Sequence, residues 1–142
     1  YNKNYVYICA NYEKLIAIKA GKNPAVAWED NTYTPDVSSP AATDEFLFIS
    51  DGTGGVACYD AGSNKVLWEN YFSEPFYASP MVADGKIYFL DRKGVMHIVK
   101  AAGTYELISQ PELGEDADCT PAFSEKRIYI RGVNNLYCIS ND

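Results

Sequence analysis

Ser39-Pro40, Ser79-Pro80 and Thr120-Pro121 recur at intervals of 40 and 41 residues, and Trp28 and Trp68 stand 40 apart. The unit behind this period is clearest from Gly55 to Asp91, GVACYDAGSNKVLWENYFSEPFYASPMVADGKIYFLD. It reads as a strand, a turn, a strand ending in Trp68, a loop, Ser79-Pro80, a strand, an Asp84-Gly85 turn and a further strand. A repeat of about 40 residues with about four strands per copy is the signature of a β-propeller blade. The expected fold is therefore all-β: a propeller of four-stranded antiparallel blades, with two complete blades (about 38–71 and 78–110) flanked by two partial ones. The whole chain, 1–142, is expected to be a single partial propeller with repeats at about 1–37, 38–77, 78–118 and 119–142.

Superposing the copies decides the local ambiguities. Ala10 to Ala20 followed by Gly21 has apolar spacing compatible with a helix and its glycine cap. Yet Leu15-Ile16-Ala17-Ile18 falls on Val56-Ala57-Cys58-Tyr59, on Met96-His97-Ile98-Val99 and on Leu136-Tyr137-Cys138-Ile139, which lie between glycine or asparagine turns and are too short for helices. All four are expected to be strands. The runs Asn4–Cys9, Glu45–Ser50, Lys86–Asp91 and Arg127–Gly132 are continuous enough in apolar residues for strands covered on both faces. Thr104 to Ile108 is expected as the outer strand of the third copy, with Ile108 at the tryptophan position. The expected strand count per copy is three, four, four and three. An arc of that size leaves two sheet edges open, so the ring is expected to be completed by residues absent from this chain or by another chain.

Charge and composition exclude several function classes. A formal charge of −7 opposes nucleic-acid binding and a polybasic membrane-surface role, and no apolar run is long enough for a membrane-spanning helix. With 47% hydrophobic residues a packed core is expected. The first residue is Tyr1 and no leader pattern precedes the first strand, so any targeting signal is expected to lie outside these residues. Cys9, Cys58, Cys119 and Cys138 show no C-x-x-C spacing and no nearby histidine pair, so metal and redox-motif readings lack their pattern. Cys58 and Cys138 hold the same repeat position, which separates them by two blades. The expectation is that the cysteines act as small buried hydrophobes, with a disulfide involving Cys9 or Cys119 left open.

Tyr59-Asp-Ala-Gly-Ser-Asn-Lys-Val-Leu-Trp68-Glu resembles the tryptophan-docking motif of the pyrroloquinoline-quinone-type propeller repeats, and Ser79-Pro-Met-Val-Ala-Asp-Gly-Lys-Ile-Tyr-Phe89 resembles that family's link into the next blade. The resemblance extends over nearly the whole chain. The family it implies includes quinone-dependent dehydrogenases, whose full rings have about eight blades, and non-catalytic extracytoplasmic members such as the lipoprotein subunit of the bacterial outer-membrane assembly machine. The last copy, Arg127-Ile-Tyr-Ile-Arg-Gly…Leu136-Tyr-Cys-Ile139, resembles the C-terminal blade of the non-catalytic extracytoplasmic group. It also implies a bacterial chain with a periplasmic or cell-surface location. Independently of the family, an aromatic ending an outer strand can lie against the adjacent sheet, and Ser79 can bond local backbone before Pro80.

No catalytic constellation is legible. The dehydrogenases of the family use a calcium ion, an aspartate base and often adjacent cysteines, and no residue of this chain matches those positions. No catalytic, cofactor-binding or metal-binding residue is therefore assigned, and no cofactor is expected. His97, the single histidine, occupies a slot held by Ile16 and Ala57 in other copies, and with no evident partner it reads as structural or partly exposed. Gly52-Thr-Gly-Gly55 opens a strand, not a helix, and reads as a hairpin turn rather than a phosphate loop. Glu112, Glu115, Asp116 and Asp118 form one oxygen-rich cluster that could ligate calcium, although the spacing lacks EF-hand order. Tyr71, Phe72, Phe76 and Tyr77 could form an interaction surface on the ring's face, and packing between blades explains them about as well. The expected function is a non-enzymatic scaffold that binds a protein, peptide or glycan through face loops. The alternative is a sector of a quinone-dependent alcohol or sugar dehydrogenase whose catalytic residues lie in other blades.

Overall fold

A computed structural model describes residues 1–10 and 13–140. All fourteen elements described are strands, arranged as four antiparallel sheets in chain order. Sheet one comprises β1 (Tyr5–Ala10), β2 (Lys14–Lys19) and β3 (Ala25–Asp30). Sheet two comprises β4 (Ala41–Ala42), β5 (Phe46–Ser50), β6 (Gly55–Asp60) and β7 (Val66–Tyr71). Sheet three comprises β8 (Met81–Ala83), β9 (Lys86–Leu90), β10 (Met96–Lys100) and β11 (Leu107–Ser109), and sheet four β12 (Ala122–Ser124), β13 (Arg127–Arg131) and β14 (Leu136–Ile139). Each sheet is a meander of sequential neighbours. The tract from Lys14 to Lys19 is strand, so the helix-compatible spacing gives way to sheet pairing; Asn11 and Tyr12 lie outside the described residues.

The core lies between sheets, which is why the second strands read as unbroken apolar runs. Alternate residues of β5 point to opposite neighbours. Leu47 and Ile49 join Leu15, Ala17 and Trp28 between sheets one and two, while Phe48 joins Ile87, Phe89 and Val99 between sheets two and three. Tyr88, Leu90, Met96 and Ile130 fill the third interface. The first strands β4 and β8 approach one another, which marks this side of each sheet as the inner side.

The register shows how each tryptophan is aimed. Trp28 pairs with Ala17 and Trp68 with Cys58, and in both sheets the pairing slips by one residue immediately afterwards. Such a bulge turns the outer strand and swings the large side chain toward the adjacent sheet. In sheet three the same slip places Ser109 opposite Ile98. Ser109, not Ile108, therefore occupies the tryptophan register, and the outer strand is Leu107–Ser109, later than the expected Thr104–Ile108; Ile108 is exposed.

The Ser/Thr-Pro positions form a belt along the inner side. The Ser39 N–H donates to Ser79 Oγ at 2.9 Å, and the Ser79 N–H donates to Thr120 Oγ1 at 2.9 Å. The Ser79 hydroxyl thus binds the neighbouring sheet, and not local backbone as expected from its place before proline. The period of 40–41 residues is in this sense a hydrogen-bond spacing between sheets as well as a strand count.

Candidate functional site

One face of the arc is built from the loops that connect successive sheets. In the loop after β7, the Phe72 and Phe76 N–H groups donate to the Gly54 and Asp51 carbonyls, and the Pro75 carbonyl accepts from the Arg92 N–H. In the loop after β11, the Leu113 and Ala117 N–H groups donate to the Gly94 and Arg92 carbonyls, and the Asp116 carbonyl accepts from the Val133 N–H. Each loop therefore clasps the turn of its own sheet and then the turn of the next. Asp51 Oδ1 closes the first of these turns by accepting from the Thr53 and Gly55 N–H groups, so Gly52-Thr-Gly-Gly55 is a hairpin turn.

The four aromatics of residues 71–77 divide between core and surface. Phe76 is fully buried, and Phe72 lies over the His97 ring with centroids 3.9 Å apart. Tyr71 and Tyr77 are exposed. The Arg92 guanidinium sits 4.2 Å above the Tyr77 ring centroid, while its Nε donates to Asp118 Oδ1 at 2.7 Å. Tyr77, Arg92 and Asp118 consequently form an ordered aromatic and charged patch drawn from three different stretches of chain.

His97 is 4% exposed, as its structural reading allows, and has two partners that were not evident in the sequence. Its Nε2 lies 2.8 Å from Asp91 Oδ2 and its Nδ1 lies 2.8 Å from Gln110 Nε2. An amide nitrogen can only donate, so Nδ1 accepts and Nε2 carries the proton given to Asp91. Both ring nitrogens are engaged and the ring is covered by Phe72 and Phe76. The imidazole pins the turn after β9, through Asp91, to the chain leaving β11, through Gln110. Both nitrogens are thus engaged in hydrogen bonds within the sheet. Sequence could not reveal this, because Asp91 and Gln110 come together only when β9, β10 and β11 pair.

The acidic residues of the loop after β11 are also held apart. Asp118 binds Arg92, and Asp116 lies 3.4 Å from Lys93 Nζ. Glu115 accepts from the backbone and side-chain amides of Asn134 and Asn135 at 2.7–3.1 Å. The backbone N–H of Asn134 first, with the Tyr137 hydroxyl and the asparagine side chains, holds the Glu115 carboxyl down to about 2. These carboxylates serve the joints between sheets, and among the described residues no three His, Cys, Asp or Glu side chains converge on a common point.

All four cysteines are free thiols. Cys58 is the expected small core residue, and burial raises its thiol to about 12. Among the described residues Cys119 and Cys138 are exposed, contrary to the expectation that they are buried. Trp68 takes its expected place: its Nε1 donates to the Ala102 carbonyl at 2.8 Å, and its ring meets Phe48 and Tyr105.

Comparison with known proteins agrees with this architecture. The sequence pattern of the family described as outer membrane protein assembly factor BamB matches residues 25–104, more than half of the chain. Among solved structures, BamB from Moraxella catarrhalis superposes with a TM-score of 0.82 at 18% identity, covering 96% of this chain and 43% of that one. The chain thus spans less than half the length of that relative. The computationally designed Ika4 protein superposes with a TM-score of 0.79 at 10% identity, covering 99% of this chain and 87% of that one. A europium-containing methanol dehydrogenase superposes with a TM-score of 0.61 at 18% identity, covering 80% of this chain and 23% of that one. No curated protein matches the sequence. The repeat period, the three- and four-stranded sheets, the docked tryptophan and the match over residues 25–104 together place the chain in the BamB family of pyrroloquinoline-quinone-type β-propeller repeats.

Proposed function

We propose that this chain is a non-enzymatic propeller scaffold that recognises a protein or peptide segment through the face formed by the loops after β7 and β11. The observation that carries this reading is the patch of Tyr77, Arg92 and Asp118, which is exposed yet held in place by the loop-to-turn hydrogen bonds beneath it. An ordered aromatic beside a guanidinium is the composition that dominates binding energy at protein interfaces. The family match and the BamB neighbour favour a protein or peptide over a glycan, and favour an extracytoplasmic, bacterial setting. The ring is completed by further blades of the same chain or by another chain. Site-specific photocrosslinking from position 77 in cells, with the adduct identified by mass spectrometry, tests the reading. A single dominant protein adduct that disappears in R92A is expected; no adduct above that from an outer-strand position such as Leu107 would reject it.

The methanol dehydrogenase neighbour favours one second reading, a sector of a quinone-dependent dehydrogenase. In that case the quinone and its metal would be held outside the described residues. Pyrroloquinoline quinone added with calcium to the protein in its complete ring would then give a bound-quinone absorbance and a thermal shift. Neither change is expected for the scaffold.

A further inference from the structure

We infer that the loop face recognises a cationic polypeptide segment, one carrying lysines or arginines at intervals; this rests on the reading of that face as the recognition surface and names the chemistry of what it holds. The first observation is how charge divides between the two sides of the arc. On the loop side lie Glu13, the turns 51–54, 91–95 and 132–135, and the loops 31–40, 72–80 and 110–121. These segments contain nine carboxylates and, as cations, only Arg92 and Lys93, a net charge of −7. The turns on the opposite side, 20–24, 43–45, 61–65, 84–85, 101–106 and 125–126, contain five carboxylates and three lysines, a net charge of −2. The whole chain also carries −7, so everything outside the loop face sums to zero.

The contacts these carboxylates make do not cancel that excess. Arg92 and Lys93 lie against Asp118 and Asp116, which accounts for both cations of the face. Asp51 and Asp91 each accept backbone N–H groups of their own turns, and Glu115 accepts from Asn134 and Asn135. Neutral donors of this kind hold a carboxylate in place without removing its charge. Glu74 and Glu112 have no side-chain partner among the described residues. At about 0.1 M salt a charge acts over about 10 Å, so a segment lying on the loops meets the excess of this face and not the neutral remainder of the chain. Nucleic acid and an anionic lipid surface are repelled by it. The excess is spread over several turns and loops, which suits an extended chain.

The second observation is that the face already seats one guanidinium in the manner proposed. Arg92 lies 4.2 Å from the Tyr77 ring centroid and donates through Nε to Asp118 Oδ1 at 2.7 Å. The ring comes from the loop after β7 and the carboxylate from the loop after β11, and both are exposed. Tyr71 offers a second ring. It is the last residue of β7, stands opposite Gly55 at the rim of the same face, and is 67% exposed. The face of a tyrosine ring attracts a lysine or arginine head group. Tyr71 together with Glu74 and Glu112 therefore presents to a partner the residue types that Tyr77 and Asp118 already use on Arg92.

The probe is a synthetic peptide of repeating Lys-Ser-Gly, compared with its Gln-Ser-Gly and Glu-Ser-Gly counterparts. A binding titration and hydrogen exchange are read on the protein in its complete ring. Binding by the lysine peptide alone is expected, with protection in the loops 72–80 and 110–121 and none in the turns 43–45 and 84–85. Its affinity should fall about tenfold between about 10 mM and about 100 mM salt, as the screening length shrinks from about 30 Å to about 10 Å. E74Q/E112Q should weaken it about three- to tenfold, the worth of two exposed ion pairs. E45Q/E125Q removes the same charge from the opposite side and should leave the affinity unchanged. No binding by the lysine peptide, equal binding of all three peptides, protection on the opposite side, or equal effects of the two double variants would overturn the inference. So would a partner segment crosslinked at position 77 that carries no net positive charge. That last outcome leaves the Tyr77 reading standing, whereas the absence of any adduct rejects the reading itself.

Discussion

Trp28 and Trp68 share a repeat position and almost equal burial, yet only one is tied by a hydrogen bond. Trp68 Nε1 donates to the Ala102 carbonyl, whereas Trp28 Nε1 is buried with no acceptor among the described residues. The difference arises in the turns they face. In sheet three the Lys100 N–H reaches across its turn to the Glu106 carbonyl, and in sheet two the Asp60 N–H reaches only to Lys65, one residue fewer. The sheet-three turn presents the Ala102 carbonyl to Trp68, while the Ala61 carbonyl of the sheet-two turn accepts from the Tyr7 hydroxyl. Replacing either residue by phenylalanine keeps an aromatic ring, so W68F is expected to cost about 1 kcal/mol more than W28F, the worth of one hydrogen bond. Urea denaturation of both variants measures this, and equal losses would show that the Ala102 bond contributes nothing. Glu115 supplies a second prediction at this scale. Its carboxyl is held at about 2 in the folded chain, below the unfolded value of 4.5. A depressed carboxylate gives stability that is present above the unfolded value and is lost as pH falls through the folded one. Thermal stability should therefore decline between about pH 4.5 and 2 more steeply in the natural chain than in E115Q. Parallel profiles for the two proteins would refute this role.

At the scale of the strand and its turn, what the sequence showed and what it hid divide along a physical line. Strand identity was legible, even across Lys14–Lys19, because superposed copies carry the same alternation and cannot all be helical. The tryptophan register of sheet three was not. A one-residue bulge moves the position from Ile108 to Ser109, and a slip of that kind leaves no trace in a pattern of residue types. Nor were the partners of His97 legible, since they lie six and thirteen residues away, just beyond the ends of two other strands. The sheet joints also depend on backbone approaches that only glycine permits. Gly94 has φ of +78°, and a Cβ there would lie 2.1 Å from the Glu115 carbonyl oxygen. Gly85 has a similar φ of +69° but open space around it. G85A should cost about 1 kcal/mol for the left-handed conformation alone. G94A adds a backbone clash that must push the loop after β11 off its turn, and should cost about 3 kcal/mol or more. Chemical denaturation of the two variants measures the gap, and equal costs would mean that the loop yields freely.

Across the whole molecule, stability is expected to be graded along the arc. Each sheet touches only its chain neighbours, so its protection depends on how many faces are covered. The middle strands β5, β6, β9 and β10 are almost wholly buried between sheets. In β14 three of four residues are exposed, and Leu136 and Val133 project into solvent at the end of the arc. Sheet one is better placed than sheet four, because Leu15, Ala17 and Trp28 remain buried against sheet two and Tyr7 adds a hydroxyl bond to the Ala61 carbonyl at 2.8 Å. Sheet four is held by a smaller apolar contact around Ile130 and by Glu115. Native-state hydrogen exchange should therefore place the opening free energy of β13 and β14 below that of β1 and β2, and both below that of β5, β6, β9 and β10. E115Q should lower the first of these values and leave the others unchanged, because Glu115 bridges only the joint between sheets three and four. A single opening energy shared by all four sheets would contradict this, and would mean that the belt of Ser39, Ser79 and Thr120 couples them into one cooperative unit.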